Sequence, residues 1–422
     1  MLRPFVVATT ALALTAAVPA GAVDPGAAVP PDAYLTAGTY ARTPFVAFTA
    51  RDAQPLYTDA LKGSCPRAAE VDAALAKGPS SGNGVLLGTS DGRIVVNERI
   101  HVFPNAKAAR NFVTTARSSA ACLGYGARDA INSVFVQYAQ LPPPPTFASA
   151  VSNDDGVWAT TFESTSAAAP LAGAAALLTW DNLVAEATAR VANAKPGELE
   201  ELERQAWASL RYRLLAWKFE ASNPKLAKDA DEGAKRFIEW APTANPFVFQ
   251  PSPRSVVPAN PAACRAATDA FLSSGTNGVI RGFRAQDPAT RTTVGAEIIV
   301  FPTKGTAGHW FGDYSNLGTC LHDLYLASLP AGSSVDVERV PKRGSATIGA
   351  KKLGVRDVFY ISTLNGPDGL QIGTTAIAAL TAGSRGAFTF MQLPVGVTLP
   401  LGDTPSANLE TMAGGLATVL GP

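Results

Sequence analysis

The sequence predicts an α+β protein made of two tandem copies of an antiparallel sheet with flanking helices. Three observations support this fold class. Short runs of β-forming residues are joined by hairpin signals, without regular alternation of strands and helices. Helical stretches begin or end at cysteines in both halves. The same motifs recur in the same order along the 422-residue chain, and a period of about 200 residues indicates copies of a domain.

The chain begins with a pattern that is typical of export. One arginine precedes an apolar run from Phe5 to Val18, and Ala20-Gly21-Ala22 follows. This pattern predicts a secretory signal peptide over residues 1–22, with cleavage after Ala22. A membrane anchor is the weaker alternative, because the run is shorter than the roughly 20 residues that a spanning helix needs. We therefore expect an exported, soluble protein, and the Ala-rich composition with few charges suits an actinobacterial source.

Landmarks of the first half recur in the second half in the same order. The pairs are PFV at 44–46 and 246–248, GNGV at 82–85 and TNGV at 276–279, VFP at 102–104 and 300–302, and NL at 182–183 and 408–409. The shared order favours tandem duplication. The last pair predicts that each copy ends in a helix, one beginning at Asn182 and the other at Asn408.

The chain has four cysteines, and the repeat suggests how they pair. Cys65, Cys122, Cys264 and Cys320 contain no close pair of the C-x-x-C type, so disulfides are favoured over a metal site. Four cysteines allow three connectivities. The separations within the halves are 57 and 56 residues, so the repeat predicts Cys65–Cys122 and Cys264–Cys320. Each bridge would join the first helix of a copy to the end of its second helix.

The elements of each copy follow from local patterns. Asp91-Gly92 lies between two β-rich runs and predicts a hairpin, and the second copy has the same hairpin with a longer loop. Pro104 and Pro302 end the second strand of each hairpin. In the helix that follows the second hairpin, one face is apolar, which predicts core packing. The residues of this face are Trp310, Tyr314, Leu317 and Leu321.

Further strands and a charged helical segment complete the prediction. The strands are SVFVQYAQL, GVWATTFES and AALLTW in the first copy, and DVFYISTL, LQIGTTAIAALTA and RGAFTFMQL in the second. Between the copies, apolar residues recur every three or four positions from Leu199 to Trp217, and a second helix is predicted after Asn223-Pro224. This hairpin would pack on the first domain or bridge the two; a partner-binding helix is the alternative. The predicted segments are 1–22 (signal peptide), 23–43 (extended), 44–194 (first copy), 195–241 (helical hairpin) and 242–422 (second copy).

The sequence gives little support for catalysis. Gly88-Thr89-Ser90-Asp91-Gly92 matches the G-x-S-x-G elbow of hydrolases, but a strand follows where the elbow needs a helix. His101 aligns with Ile299 and is interpreted as structural, while His309 and Asp313 are one helical turn apart and predict a surface ion pair. No metal-ligand spacing, P-loop or dinucleotide motif occurs, so we expect no catalytic residue and no cofactor. The net charge of +1 gives no reason to expect nucleic acid or an anionic membrane as partner.

The chain resembles a known family in three features. A cysteine opens the first helix, a strand ends in V-F-P, and the following helix ends in a cysteine. The family comprises the extracellular sensor domains of actinobacteria, best known from PknH-like receptor serine/threonine kinases. The resemblance covers 44–191 and 246–422, and implies an antiparallel sheet with flanking helices, a central cleft and ligand sensing without catalysis. Kinase-linked members carry two disulfides per domain, whereas this chain can form one per copy, and it has no kinase.

These observations predict a secreted, non-enzymatic, sensor-like protein. It would bind a small or cell-envelope-derived ligand in clefts of unidentified residues, and the two copies could bind one extended ligand together. A secreted hydrolase of the esterase or peptidase type is one alternative. The other is a cell-wall-associated interaction module that uses the helices at 195–240 to bind a protein partner.

Overall fold

Two seven-stranded antiparallel sheets, each with helices, make up most of the described part of the chain. The computed structural model describes residues 23–24, 27–29, 33, 45–47, 82–89, 91–118, 127–128, 135–136, 138–141, 156–164, 171–196, 198–244, 248–252, 264–287, 290–327, 329–340, 355–397 and 404–420.

The first sheet has the strand order β1-β2-β3-β9-β8-β7-β6. The predicted hairpin around Asp91-Gly92 is confirmed as the β2–β3 connection, and β3 ends two residues before Pro104. The helix α1 follows β3, and β4 and β5 form a separate two-stranded sheet. The bounds are β1 Phe45–Ala47, β2 Gly82–Thr89, β3 Ile94–Val102, α1 Ala106–Ser118, β4 Ala127–Arg128, β5 Phe135–Val136, β6 Tyr138–Leu141, β7 Gly156–Ser164, β8 Leu171–Trp180 and β9 Leu183–Ala192.

The second sheet has the strand order β10-β11-β12-β16-β15-β14-β13, which repeats the order of the first from one edge to the other. The predicted second hairpin is confirmed as β11–β12. The bounds are β10 Gln250–Ser252, α4 Arg265–Gly275, β11 Val279–Asp287, β12 Thr292–Val300, α5 Lys304–Leu317, α6 Leu321–Leu326, β13 Ser334–Val340, β14 Arg356–Asn365, β15 Gln371–Ala382, β16 Arg385–Pro394 and α7 Pro405–Leu420.

The two sheets share local geometry where the turns of the β8–β9 and β15–β16 hairpins contact the V-F-P residues at the ends of β3 and β12. The Phe103 amide donates to the Asn182 carbonyl at 2.7 Å, and the Phe301 amide donates to the Ser384 carbonyl at 2.8 Å. Asp181 and Gly383, which open the two hairpin turns, are both left-handed, with φ of 53° and 60°. Positions in the two sheets can therefore be compared strand by strand.

This register corrects the expectation that each copy ends in matching NL helices. Asn182 corresponds to Ser384 rather than to Asn408, and residues 183–192 form strand β9 in the middle of the sheet, between β3 and β8. The helical prediction was wrong because β9 alternates from Ala185 to Val191: the odd-numbered residues are apolar and lie on one face, while Glu186, Thr188 and Arg190 lie on the other.

Two long helices connect the sheets, α2 (Glu198–Ser222) and α3 (Pro224–Ala244). α2 places Leu202 and Leu214 in the core of the first sheet, and Tyr212 in a core of the second domain. α3 packs on the second sheet through Phe237. The hairpin thus bridges the two sheets, which is one of the two arrangements that the sequence predicted.

One arginine of the second sheet forms hydrogen bonds with both of these helices. Arg281 of β11 donates two hydrogen bonds to Glu220 of α2, at 3.0 and 2.6 Å, and one to Asp231 of α3, at 2.6 Å. Paired guanidinium–carboxylate contacts of this kind fix orientation as well as adding stability. They hold the α2–α3 turn against the second sheet.

Helices cover both faces of the second sheet. α3 and α7 pack on one face, and α4 and α5 pack on the other. The predicted apolar face of α5 is confirmed, because Trp310, Tyr314 and Leu317 are all buried. Cys264 and Cys320 form a disulfide, with Cα atoms 5.6 Å apart, that joins the start of α4 to the turn after α5. Cys65 and Cys122 lie outside the described residues. Within the described ranges, no helix is long and apolar enough to cross a membrane.

Candidate functional site

The two faces of the first sheet differ in chemistry. On one face β3 places Ile94, Val96, Ile100 and Val102, which pack into a core with α2. The opposite face looks toward α1, since the His101 ring lies 5.8 Å from the ring of Phe112 on that helix. Because side chains alternate along a strand, the polar residues of β3 and β9 converge on this second face.

These residues define what we call the polar face of the first sheet. Asn97 lies opposite Thr188, Arg99 lies opposite Glu186, and His101 lies diagonally across from Glu186. Cross-strand and diagonal neighbours are close enough for their side chains to interact. The members are Asn97, Arg99 and His101 from β3, and Glu186, Thr188 and Arg190 from β9.

A histidine–carboxylate pair forms the deepest part of the polar face. His101 Nε2 lies 3.3 Å from Glu186 Oε1, and the two side chains are only 2% and 4% exposed. Neither ring nitrogen of His101 makes a hydrogen bond within the described residues, and Glu186 Oε1 makes none there either. Buried polar atoms are normally satisfied, so this unmet capacity needs an explanation.

Along β9, burial of the polar face decreases from Glu186 to Arg190. His101 and Glu186 are both buried, and the His101 ring lies beside the stacked rings of Phe103 and Phe112, whose centroids are 5.4 Å apart. Thr188 and Arg190, further along β9, are only half-buried. The polar face is therefore enclosed at the histidine end and more accessible toward Arg190.

The corresponding positions of the second sheet are mostly apolar. Where the first sheet has the opposed pair Arg99 and Glu186, the second has Glu297 and Phe388. The Asn97–Thr188 pair is replaced by Gly295 and Phe390. The Phe390 ring lies over Gly295 so closely that a Cβ there would overlap it. His101 is replaced by Ile299, which is 1% exposed.

Aromatic side chains of α4 and α5 fill this face of the second sheet. Phe388 lies 5.6 Å from Tyr314 and 6.3 Å from Phe271, measured between ring centroids. Burial raises the pKa of Tyr314 well above its usual value, with smaller contributions from Tyr325 and Tyr360. Tyr314 is thus neutral at physiological pH and packs as part of the core.

The remaining sequence candidates lie away from the polar face. His309 pairs with Asp313 at 3.0 Å on the surface of α5, with the His309 side chain 76% exposed, as the sequence predicted. His322 pairs with the adjacent Asp323 at 2.8 Å. In the G-x-S-x-G stretch, Gly88 and Thr89 end β2, and strand β3 begins two residues after Gly92, so the helix that a nucleophile elbow requires is replaced by a strand. No metal-ligand cluster occurs among the residues that the structure describes.

Sequence reasoning singled out His101 but interpreted it as structural, and it did not find the partner, Glu186. Glu186 lies 85 residues further along the chain, in a stretch that was predicted to be helical. Alternation of apolar and polar residues from Ala185 to Val191 was the signal that could have identified the strand. Recognising β9 as the neighbour of β3 would have brought the two side chains together.

No protein-family model matches this sequence, and no curated protein is significantly similar to it. Among solved structures, the chain is similar to the extracellular domain of PknH from Mycobacterium tuberculosis. That match has 14% sequence identity and a TM-score of 0.29, and covers 42% of this chain and 93% of the other. Similarity this low carries no argument about function, so the proposal depends on this chain's own residues.

Proposed function

We propose that this is an exported, non-enzymatic, sensor-like protein that binds a small polar ligand at the polar face of its first domain. The two sheets are interpreted as tandem copies, because they share their strand order, the geometry of the last hairpin and the V-F-P strand end. At these positions the first copy has a group of polar side chains, whereas the second has one buried carboxylate, Glu297, among apolar residues. The proposal therefore assigns binding to one domain and packing to the other.

The observation that carries the proposal is the buried His101–Glu186 pair with its unmet hydrogen-bonding capacity. Burying such a pair costs free energy unless geometry and further hydrogen bonds compensate. The second sheet shows that the same strand arrangement packs with Ile299 and Phe388 at these positions. Since the fold does not require the pair, a ligand that completes its hydrogen bonds is the better explanation.

The side chains of the polar face also indicate the chemistry of the ligand. Asn97 offers both a donor and an acceptor, Arg99 offers donors, and Glu186 offers acceptors. Opposite charges on Arg99 and Glu186 remove the need for a strongly charged ligand. A compound rich in hydroxyl or amide groups, such as a saccharide fragment of the cell envelope, fits this set. It would enter from the more accessible Arg190 end.

The alternatives find less support. Each of the three histidines lies beside a carboxylate, and none forms a hydrogen bond with a serine or cysteine within the described residues. This arrangement does not favour a hydrolase. Along α2, described apolar side chains pack against both domains, Leu202 and Leu214 on the first and Tyr212 on the second. The interaction-module hypothesis would require one of these faces to be free.

Mass spectrometry of co-purifying compounds tests the proposal. The protein would be purified from an exporting host grown with cell-envelope synthesis intact, then denatured to release bound compounds. We expect a polar compound with the wild type and none with the double variant His101→Leu, Glu186→Met. The matched control is Glu297→Met, which removes a buried carboxylate from the second sheet and should retain the compound. Equal retention by the wild type and the double variant, or turnover of an ester or peptide panel, would reject the proposal.

A further inference from the structure

We propose that the exported chain begins at Val23 and that its new α-amino group docks on Asn182, completing the first domain. Val23 is 1% exposed and belongs to the core of the first sheet. Its backbone nitrogen donates to Asn182 Oδ1 at 3.0 Å, and its carbonyl accepts from Asn182 Nδ2 at 2.7 Å. Asn182 Nδ2 also donates to the Phe103 carbonyl at 2.9 Å, so one fully buried amide binds both segments.

The amino-terminal segment contributes to the fold of the first domain. Val23, Val29 and Ala33 are all buried in the core that α2 shares with the first sheet. On the corresponding side of the second sheet, two helices, α3 and α7, make the cover. In the first domain, Val23, Val29 and Ala33 share the core with Leu202 and Leu214 of α2. Cleavage downstream of Val23 would therefore remove part of a core.

Two independent observations single out Val23. Ala20-Gly21-Ala22 predicts that a signal peptidase cuts immediately before Val23. The structure independently makes Val23 the anchoring residue of the segment. Hydrolysis adds one water across the Ala22–Val23 bond, which leaves a carboxylate on the leader and an amino group on Val23. That amino group can still donate a hydrogen bond to Asn182 Oδ1.

Processing changes the donor in this contact from a peptide N–H to an α-amino group. A charged amino group forms a stronger hydrogen bond than a neutral one, whereas burial in an apolar core favours the neutral amine. In either form the amino group can donate to Asn182 Oδ1. Ser384, which corresponds to Asn182 in the second domain, has no carboxamide with which to bind both groups of a peptide unit. The docking site is therefore particular to the first domain.

The experiment has two readouts on the full chain exported by a host with signal peptidase. The first is the amino-terminal sequence of the secreted protein, which we expect to start Val-Asp-Pro-Gly. The second is the rate at which a water-soluble acylating reagent labels the Val23 amine at pH 7. We expect labelling of the folded protein to be at least about tenfold slower than labelling of the urea-unfolded chain, because the docked amine is buried and inaccessible to the reagent.

Variants separate docking from general burial. Asn182→Ala should raise the labelling rate and lower the unfolding midpoint by about 3–8 °C. Asn111→Ala, at an exposed position of α1 in the same domain, should change neither. If Asn182→Ala does not fold, the wild-type labelling ratio decides. A secreted chain that starts elsewhere, or equal labelling of folded and unfolded protein, would overturn the inference.

Discussion

The His101–Glu186 pair makes an unusual prediction, because removing both residues should be less harmful than removing one. His101→Leu alone leaves the Glu186 carboxylate in a site where it is 3% exposed. Glu186→Met alone leaves the imidazole there without its partner. The double variant leaves two apolar side chains of similar volume, of which the one at position 101 lies beside Phe103 and Phe112.

The expected magnitudes follow from this burial. Breaking one side of a buried ion pair typically costs about 3–5 kcal/mol, whereas replacing the whole pair with apolar residues is neutral or stabilises by about 1–4 kcal/mol. A domain of this size is stable by about 5–15 kcal/mol. The single variants should therefore be visibly weakened, and the double variant should be at least as stable as the wild type.

Urea unfolding followed by hydrogen exchange and mass spectrometry would measure the effect for each domain. Peptides from β3 and β9 report on the first domain, and peptides from β12 and β16 serve as the internal control. Suppose that the double variant loses as much stability as the single variants. The pair would then be a structural requirement of the first sheet, and the argument that it is retained for a ligand would fail.

Three further predictions concern stability. A Cβ at Gly415 would overlap a tryptophan ring of α3, while Gly414 faces open space. In urea unfolding, Gly415→Ala should lower the free energy of unfolding by about 1–3 kcal/mol, and Gly414→Ala should raise it by up to about 1 kcal/mol. Equal effects of the two substitutions would contradict the packing. A hydrogen bond from Arg93 is the main reason that the pKa of Glu198 lies below its usual value of 4.5. Glu198→Gln should lower the free energy of unfolding by about 1 kcal/mol above pH 4.5, and by progressively less as the pH falls below 4.5. An equal loss at pH 7 and pH 3 would contradict the pairing. The Cys264–Cys320 bridge joins residues 56 apart, so Cys264→Ser should cost about 4 kcal/mol, and a loss under about 1 kcal/mol in calorimetry would show that loop closure contributes little.

Local patterns predicted most elements because each is signalled by a few neighbouring residues. Asp91-Gly92 marked the first hairpin, and prolines marked the ends of β3 and β12. Strand β13, Ser334–Val340, was missed, since it is a charged edge strand with little apolar alternation. Strand β9 was missed because its alanines suit a helix, and only its position between two other strands decides its state.

The candidate site was harder to predict, because it depends on which strands are neighbours. His101 and Glu186 come together only through the β3–β9 pairing, which brings a late strand beside an early one. The sequence comparison of His101 with Ile299 was informative in another way. It indicated a difference between the two halves, which the structure extends to the Glu186 and Phe388 positions of the two sheets, and the proposed site rests on this difference.

The most direct test of ligand binding uses the histidines, because the protein contains only three of them. Nitrogen-15 NMR of the imidazole side chains would resolve each histidine while saccharide fragments of the cell envelope are added. His309 and His322 are largely exposed and lie in the second domain, so they serve as internal controls. The account predicts that the His101 resonances shift in a saturable manner while the other two stay unchanged. Saturable binding that leaves His101 unchanged would contradict it.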